Sequence, residues 1–591
     1  MWERGWREAV WESIQEPWDL IVVGGGITGA GILREATRVG LRCLLVERRD
    51  FGWGTSSRSS KLVHGGLRYL KEGKIGLTWA SVHERERLLR EGPGLIDPLG
   101  FLLATYRGDR PGRWTYSAGL TVYDLLALHW GHRHFSAEDF RLLAPHISRD
   151  GLQGGFRYGD AQTDDARLVL RVIQEAVAAG GTALSYAEAT GLLVDGAPED
   201  PTVVGVHLRD SVLRQEADVR GGAVISATGV WADSLRGLVG GRPAIRPLRG
   251  SHLIFPSWRF PVAQAVSFLH PFDRRPVFIF PWEGITLVGT TDVDHCESLD
   301  SEPSIRPEEV AYLMAAVDAQ FGALRISLDD VISTFAGIRP VVGSGNVDPS
   351  KESRDHVVWE EKGLLTVTGG KLTTFRLIAL DALRALRHRF PNMQSLDDKA
   401  SVLNPVHGAF ATPESLDDAT RCRLLGRYST CAHKVLEAAL PGETAFIPGT
   451  QYLWVELRWA ARAEGVVHLD DLLLRRVRIG HLLPRGAEGL LSRIREVCQP
   501  ELGWDDARWE EEEAAYLALW RTHYSLPDRD TIPDWRDLPA AELAQTRRSS
   551  PLVINRHGRP ASVVLLLALS ALVIATAWRR RRQSARRHLR G

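Results

Sequence analysis

Residues 18–50 read WDLIVVGGGITGAGILREATRVGLRCLLVERRD. Leu20–Val23 form a short apolar run, the pattern of a strand buried on both faces of a parallel sheet. Gly24, Gly26 and Gly29 follow as G-x-G-x-x-G. Ile32, Ala36 and Val39 then fall on one side of a helix, Gly40 ends it, and LRCLLVE predicts a second strand finishing at Glu47. Gly24 suits the tight strand-to-helix turn, Gly26 removes a Cβ where a pyrophosphate would approach, and Gly29 lets the helix pack on the strand. The helix start offers free N–H groups and a partial positive charge to phosphate. Glu47 ends the second strand where a carboxylate can accept ribose hydroxyls. Strand, helix, strand and acid in about 30 residues make a βαβ unit. The motif does not itself separate FAD from NAD. Its N-terminal place, with no second copy, points to FAD as a resident cofactor. AVISATGVWAD (223–233) predicts a later strand running into Thr228-Gly229 and returning to the same crevice.

The chain has 591 residues, enough for two or three domains. It is 44% hydrophobic and 25% charged, with 73 basic Lys and Arg against 73 acidic residues, so net charge argues for no polyanionic partner such as nucleic acid. Cys43, Cys296, Cys422, Cys431 and Cys498 form no CxxC pair or Cys/His cluster, so reduced thiols and no metal site are expected. The tryptophan-rich N-terminus lacks the apolar core of a secretory signal, and WREAVWESI predicts a short leader helix packed on the domain.

Further motifs follow in order: TSSRSSKLVHGGLRYL (55–70), YGDAQTDDARLVL (158–170), SATGVWAD (226–233), PLRGSHLIFP (247–256), PWEGITLVGTTDVD (281–294), FAGIRPVV (335–342), SRDHVVWE (353–360) and TVTGGKLTTFRLIA (366–379). With the N-terminal glycine motif, this order closely resembles FAD-dependent glycerol-3-phosphate dehydrogenase, an aerobic, membrane-associated, quinone-linked family. The likeness runs from about 17 to 385 and more weakly to about 525, where RWAARAEGVVHLDDLLLRRVRIG is similar to that family's C-terminal helical domain. The resemblance implies an α/β plus α fold: a Rossmann-like FAD-binding domain of the glutathione-reductase/D-amino-acid-oxidase type, an interleaved antiparallel-sheet substrate domain and a C-terminal helical domain. It implies oxidation of sn-glycerol 3-phosphate at C2 to dihydroxyacetone phosphate, with electrons passed from FAD to membrane quinone. A homodimer is left open.

The resemblance also carries residues over. For FAD these are Gly24, Gly26, Ile27, Gly29, Glu47, Thr55, Ser56, Ser60, Leu62, Thr228, Gly229, Lys371, Leu372 and Thr373. Arg68 and Lys371 match phosphate-binding cations: a guanidinium grips two phosphate oxygens and an ammonium adds a point charge. Arg339 matches an arginine near the reacting centre, placed to stabilise the developing C2 oxygen. Arg354 matches a further cation near flavin or substrate, or a structural ion pair. His64 is the candidate base, since imidazole can take the alcohol proton at neutral pH, or else it orients substrate. Tyr69 can bond the phosphate or pack. His252 is a family position expected to hold the flavin domain rather than transfer a proton. Asp292 and Asp294 are expected to be structural caps.

The expected organisation is an oxidoreductase domain over 17–400, with its FAD part at about 17–100, 160–245 and 335–400 and its substrate part at about 101–159 and 246–334. A helical domain over 402–535 and a linker over 536–560 follow. Residues 561–578, ASVVLLLALSALVIATAW, carry no charge, and as a helix would span about 27 Å, near the roughly 30 Å apolar core of a bilayer. Trp578 sits at the edge, and the basic tail RRRRQSARRHLRG (579–591) follows. The expectation is membrane attachment, with the catalytic domain on the cytoplasmic side and the topology of the segment open. The positive-inside rule would hold the tail in the cytoplasm, and the flavin domain, lacking an export signal, is expected there too, which one crossing cannot satisfy. Two other readings remain: an oxygen-using oxidase on the same fold, and a flavin-binding scaffold without turnover.

Overall fold

A computed structural model describes residues 2–71, 73–109, 112–128, 130–197, 201–343, 355–404 and 416–536, with the side chains of Arg68 and Lys71 excepted. The expected membrane segment, basic tail and nearly all of the linker lie outside the described residues, as does Arg354.

The first strand, Trp18–Val23, lies in the middle of an eight-stranded sheet. It pairs in parallel with Cys43–Val46 on one side and Gln215–Ser226 on the other. Leu364–Gly369 extends the parallel set beyond Gln215–Ser226, and Thr182–Leu184 extends it beyond Cys43–Val46. Leu20, Ile21 and Val22 are fully buried because both faces of the sheet are covered. Leu20 and Val22 face the helices Ile27–Arg38, Asp165–Ala178 and Phe375–Ala385. Ile21 and Val23 face a core shared with the antiparallel strands Ala187–Asp195 and Thr202–Asp210. The leader forms a helix, Trp6–Glu12, and Arg7 ties it down through Asp210 at 2.6 Å.

A ten-stranded, largely antiparallel sheet stands beside this unit. It reaches further along the chain than the expected substrate segments. Ile96–Tyr106 and Leu152–Thr163 cross the boundaries set at 100 and 160, Leu62–Val63 pairs at its edge, and Ser333–Val342 pairs with residues 245–254 of Ile245–Pro256. Strand pairing, which composition does not reveal, decides this. One face of the sheet packs Phe101, Tyr158, Phe280, Trp282 and Phe335 against the C-terminal helices; the other packs Leu253, Phe255 and Val288 against the helix Pro307–Phe321.

The C-terminal helices include Asp418–Tyr428, Trp454–Ala463, Leu491–Leu502 and Asp506–His523. LLLRRVRI, expected to be helical, forms a π-type turn over Asp471–Arg476 and a short helix from Ile479. Buried bidentate pairs lock these helices to the nucleotide unit. Arg167 meets Glu464 at 2.5 and 2.9 Å, and Arg476 meets Asp50 at 2.5 and 2.8 Å. All five cysteines are free thiols.

Candidate active site

The glycine turn has the shape that a dinucleotide requires. Gly24 adopts φ 116°, and a Cβ there would lie 2.6 Å from the Ala227 carbonyl oxygen. At Gly29 a Cβ would come within 1.9 Å of the Gly24 oxygen, so helix and strand meet only through glycine. Gly26 is the N-cap of the helix Ile27–Arg38 and provides no side-chain cap. The Ile27 N–H donates to Ser56 Oγ at 3.0 Å, which brings the hydroxyl run 55–60 to the positive end of this helix.

Glu47 ends the second strand as expected. Its carboxylate accepts from Gly25 N–H at 2.7 Å and Arg49 N–H at 2.9 Å. Burial raises its pKa, and the two backbone donors oppose that rise. A carboxylate has about four acceptor positions, so two remain for a diol. Thr228 Oγ1 lies 3.1 Å from Ser226 Oγ, and Gly229, at φ 61°, has open space around its Cα and accepts from Thr368 at 3.0 Å. Beside it the Trp231 Nε1 donor is buried without a partner. A helix start whose N-cap glycine has no capping side chain, an acid at the strand end and an orphaned donor near the returning strand fit an adenine dinucleotide.

From this cradle the chain passes to the ten-stranded sheet. Thr55 Oγ1 donates to the Ile338 carbonyl, one residue before Arg339. Ser60 Oγ lies 2.9 Å from His252 Nε2, and His252 stacks on Phe335 at 4.5 Å. Burial, then the charges of Arg339 and Lys61, push the His252 pKa well below its ordinary value, so this imidazole is neutral. Leu62 is buried in the strand paired with Gln162.

Two glycine-flanked segments, over 300 residues apart in sequence, meet here. Thr373 Oγ1 donates to the His64 carbonyl at 3.3 Å. Lys371 Nζ sits 3.6 Å from the centre of the Tyr69 ring and 3.2 Å from Ser81 Oγ. Leu372 and Thr373 open the single turn that follows Lys371. The backbone of Arg68 lies in the short helix Leu67–Lys71, directly after Gly65-Gly66. Arg339 extends from its strand to Asp292 at 2.9 Å and Thr290 at 3.1 Å. The two aspartates of GTTDVD are ion-pair partners rather than caps: Asp294 pairs with Arg246 at 2.6 Å.

Sequence reading missed the layer beneath. Lys61 Nζ pairs with Asp165 at 2.8 Å and donates to the Ser57 carbonyl at 3.0 Å, and both side chains are wholly buried. Asp165 also accepts from Ser59 N–H and Oγ. Arg478 of the C-terminal helices donates to the Ser57 carbonyl at 3.0 Å and lies 3.5 Å from Asp165. Two helical layers thus clamp the 57–61 backbone. Burial, then Arg478, lower the Lys61 pKa to about 8. Lys61 and Asp165 both stand within the quoted motifs, which was the available signal.

A parallel-sheet cradle feeding a large antiparallel sheet defines an FAD-dependent oxidoreductase. The family described as FAD dependent oxidoreductase matches residues 19–410, and the C-terminal domain of alpha-glycerophosphate oxidase matches 388–509. Glycerol-3-phosphate dehydrogenase 2 of Mycobacterium tuberculosis is 34% identical over 87% of this chain and 90% of its own. Aerobic glycerol-3-phosphate dehydrogenase of Staphylococcus aureus is 36% identical over 80% of this chain and 88% of its own. Among solved structures, glycerol-3-phosphate dehydrogenase from Bacillus halodurans, complexed with FAD, superposes with a TM-score of 0.70 at 27% identity, covering 88% of this chain and 98% of that one. The chain belongs to the FAD-dependent glycerol-3-phosphate dehydrogenase family, and its cofactor is FAD.

Proposed function

We propose that this chain oxidises sn-glycerol 3-phosphate at C2 to dihydroxyacetone phosphate and delivers the electrons to membrane quinone. The observation that carries the reading is the meeting of the His64–Tyr69 and Lys371–Thr373 segments beside the nucleotide cradle. It sets the Lys371 ammonium over the Tyr69 ring and Thr373 against the His64 carbonyl, in a chain whose relatives are named for this substrate.

Lys371 and Arg68 hold the phosphate, with the Tyr69 ring beside Lys371. Arg339 stabilises the C2 oxygen as charge develops on it. His64 takes the C2 hydroxyl proton or orients that hydroxyl. His252, neutral and tied to Ser60, borders the site without serving as a cation. Arg354 adds a cation for flavin or substrate, or serves a structural ion pair. Gly24, Gly26, Gly29, Ile27, Glu47, Thr55, Ser56, Ser60, Leu62, Thr228, Gly229, Leu372 and Thr373 hold FAD. When bound, FAD supplies the hydride acceptor and returns two electrons to an external oxidant.

Membrane attachment runs through 561–578 and the basic tail, with the catalytic unit on the cytoplasmic side. Among the described residues no helix is long and apolar enough to cross a membrane. The matched alpha-glycerophosphate oxidase domain favours a second reading in which oxygen is the acceptor. Turnover with a soluble quinone against turnover with dissolved oxygen separates the two. Quinone turnover far above oxygen turnover is expected; equal rates would overturn the quinone assignment.

A further inference from the structure

Residues 305–309 read IRPEE and open the helix Pro307–Phe321, with Pro307 at its first position and Glu309 at its third. A glutamate at the third position can cap its own helix by reaching back to a backbone N–H. Glu309 does so, accepting from Arg306 N–H at 3.0 Å. That bond fills one of the roughly four acceptor positions of a carboxylate. Three further donors come from outside the helix: Arg249 Nε at 2.9 Å, Ser251 Oγ at 2.9 Å and Thr291 Oγ1 at 2.5 Å. Glu309, Arg249, Ser251 and Thr291 are all buried, so these bonds are shielded from water. Capping the helix requires none of the three. The carboxylate instead joins the helix, the strand Ile245–Pro256 and the turn at 290–292.

The other side of that turn seats Arg339. Its guanidinium donates to Asp292 Oδ1 at 2.9 Å, to Thr290 Oγ1 at 3.1 Å and to the Thr291 carbonyl at 3.4 Å. A Cβ on Gly250 would stand 2.4 Å from Arg339 Nη2, so the guanidinium lies against the strand backbone one residue before Ser251. Thr291 is the joint between the two sides. Its carbonyl meets Arg339, while its hydroxyl donates to Glu309 and accepts from Ser251 N–H at 2.9 Å.

We propose that Glu309 is a positioning residue for Arg339, acting through Thr291. It fixes the turn from behind, and the turn aims the guanidinium. The inference rests on the reading in which Arg339 stabilises the developing charge on the C2 oxygen. In that reading Arg68 and Lys371 hold the phosphate elsewhere in the site. Loosening the turn should therefore slow the chemical step and leave substrate binding nearly intact. Misplacing a reacting group by about 1 Å can cost about a hundredfold in rate.

A double-mutant cycle on the FAD-loaded full chain tests this. It reads the rate constant of flavin bleaching at saturating sn-glycerol 3-phosphate and the concentration giving half that rate. Thr291→Val keeps the shape, removes the hydroxyl and leaves Glu309 its other donors. It should slow bleaching about tenfold or more, with half-saturation within about threefold of the parent's. Thr291→Ser, which keeps the hydroxyl, should recover most of the rate, and Glu309→Gln should slow bleaching as Thr291→Val does. In an Arg339→Ala background, Thr291→Val should cost less than about twofold, because the group it aims is gone. Flavin content and urea midpoint are measured on every variant, and Thr291→Val carries the test if Glu309→Gln does not fold. A parental rate in Thr291→Val, equal losses in both backgrounds, or an effect confined to half-saturation overturns the inference and leaves the role of Arg339 standing. Loss of flavin from Thr291→Val assigns the bonds to folding and overturns it likewise. Parental bleaching by Arg339→Ala removes that role and the inference together.

Discussion

Lys61→Met at pH 7 removes a buried charge while keeping most of the side chain's bulk. The 2.8 Å pair with Asp165, with no exposed surface on either partner, invites the expectation of a 3–5 kcal/mol loss, the magnitude of about 3–5 kcal/mol seen when buried pairs are broken. The pKa argues otherwise. Burial and the Arg478 charge lower the ammonium from its ordinary 10.5 to about 8, against the pull of Asp165. The charged form is therefore disfavoured in the fold by about 3 kcal/mol, at 1.36 kcal/mol per pKa unit. The variant escapes that penalty and forfeits hydrogen bonds to Ser57 and Asp165, at about 1 kcal/mol each. The net change at pH 7 is expected within about 2 kcal/mol of zero.

The sign with pH follows from the lowered folded pKa. Between pH 8 and 10.5 the unfolded state binds more protons, so the parent gains stability as pH rises through that window. From pH 7 to 9.5 the parent should gain about 2 kcal/mol over Lys61→Met. Urea unfolding of both FAD-loaded proteins at the two pH values reads this difference. Parallel pH dependences, or a loss of 3–5 kcal/mol at pH 7, about the full buried-pair value, would refute the reasoning.

Other perturbations discriminate further. Gly29→Ala forces a Cβ within 1.9 Å of the Gly24 oxygen, so the purified protein should carry well under one flavin per chain by absorbance. Arg167→Met, unlike Lys61→Met, should cost about 3–5 kcal/mol in urea unfolding, because it strands the buried Glu464 whose bidentate partner it removes. Arg68→Ala should raise KM for the phosphorylated substrate with little change in kcat, whereas His64→Ala should lower kcat by about 10²–10⁴-fold if imidazole is the base. Steady-state kinetics with a saturating quinone analogue separates the two, and an unchanged kcat in His64→Ala leaves that residue an orienting role.

The nucleotide cradle was legible because its requirements are local. Gly24, Gly29 and Glu47 stand within one βαβ unit, and their spacing states the geometry. The approach of Thr373 to His64 was legible only through family resemblance, since no periodicity links positions 309 apart. The Lys61–Asp165–Arg478 layer was not read from either motif: buried charges in sequence look like ordinary solvated ones until packing closes over them. The helix at Leu67–Lys71 was obscured by Gly65-Gly66, which lie in the turn before it. Strand pairing carried Ser333–Val342 into the larger sheet, a tertiary choice that β-branched composition leaves open.

Anaerobic addition of sn-glycerol 3-phosphate to the purified, FAD-loaded chain addresses the activity itself. Complete bleaching of the oxidised flavin's visible band is expected, with one dihydroxyacetone phosphate formed per flavin, while unphosphorylated glycerol leaves the band intact. A flavin that stays oxidised under saturating glycerol 3-phosphate, or that another phosphorylated alcohol bleaches faster, would contradict it.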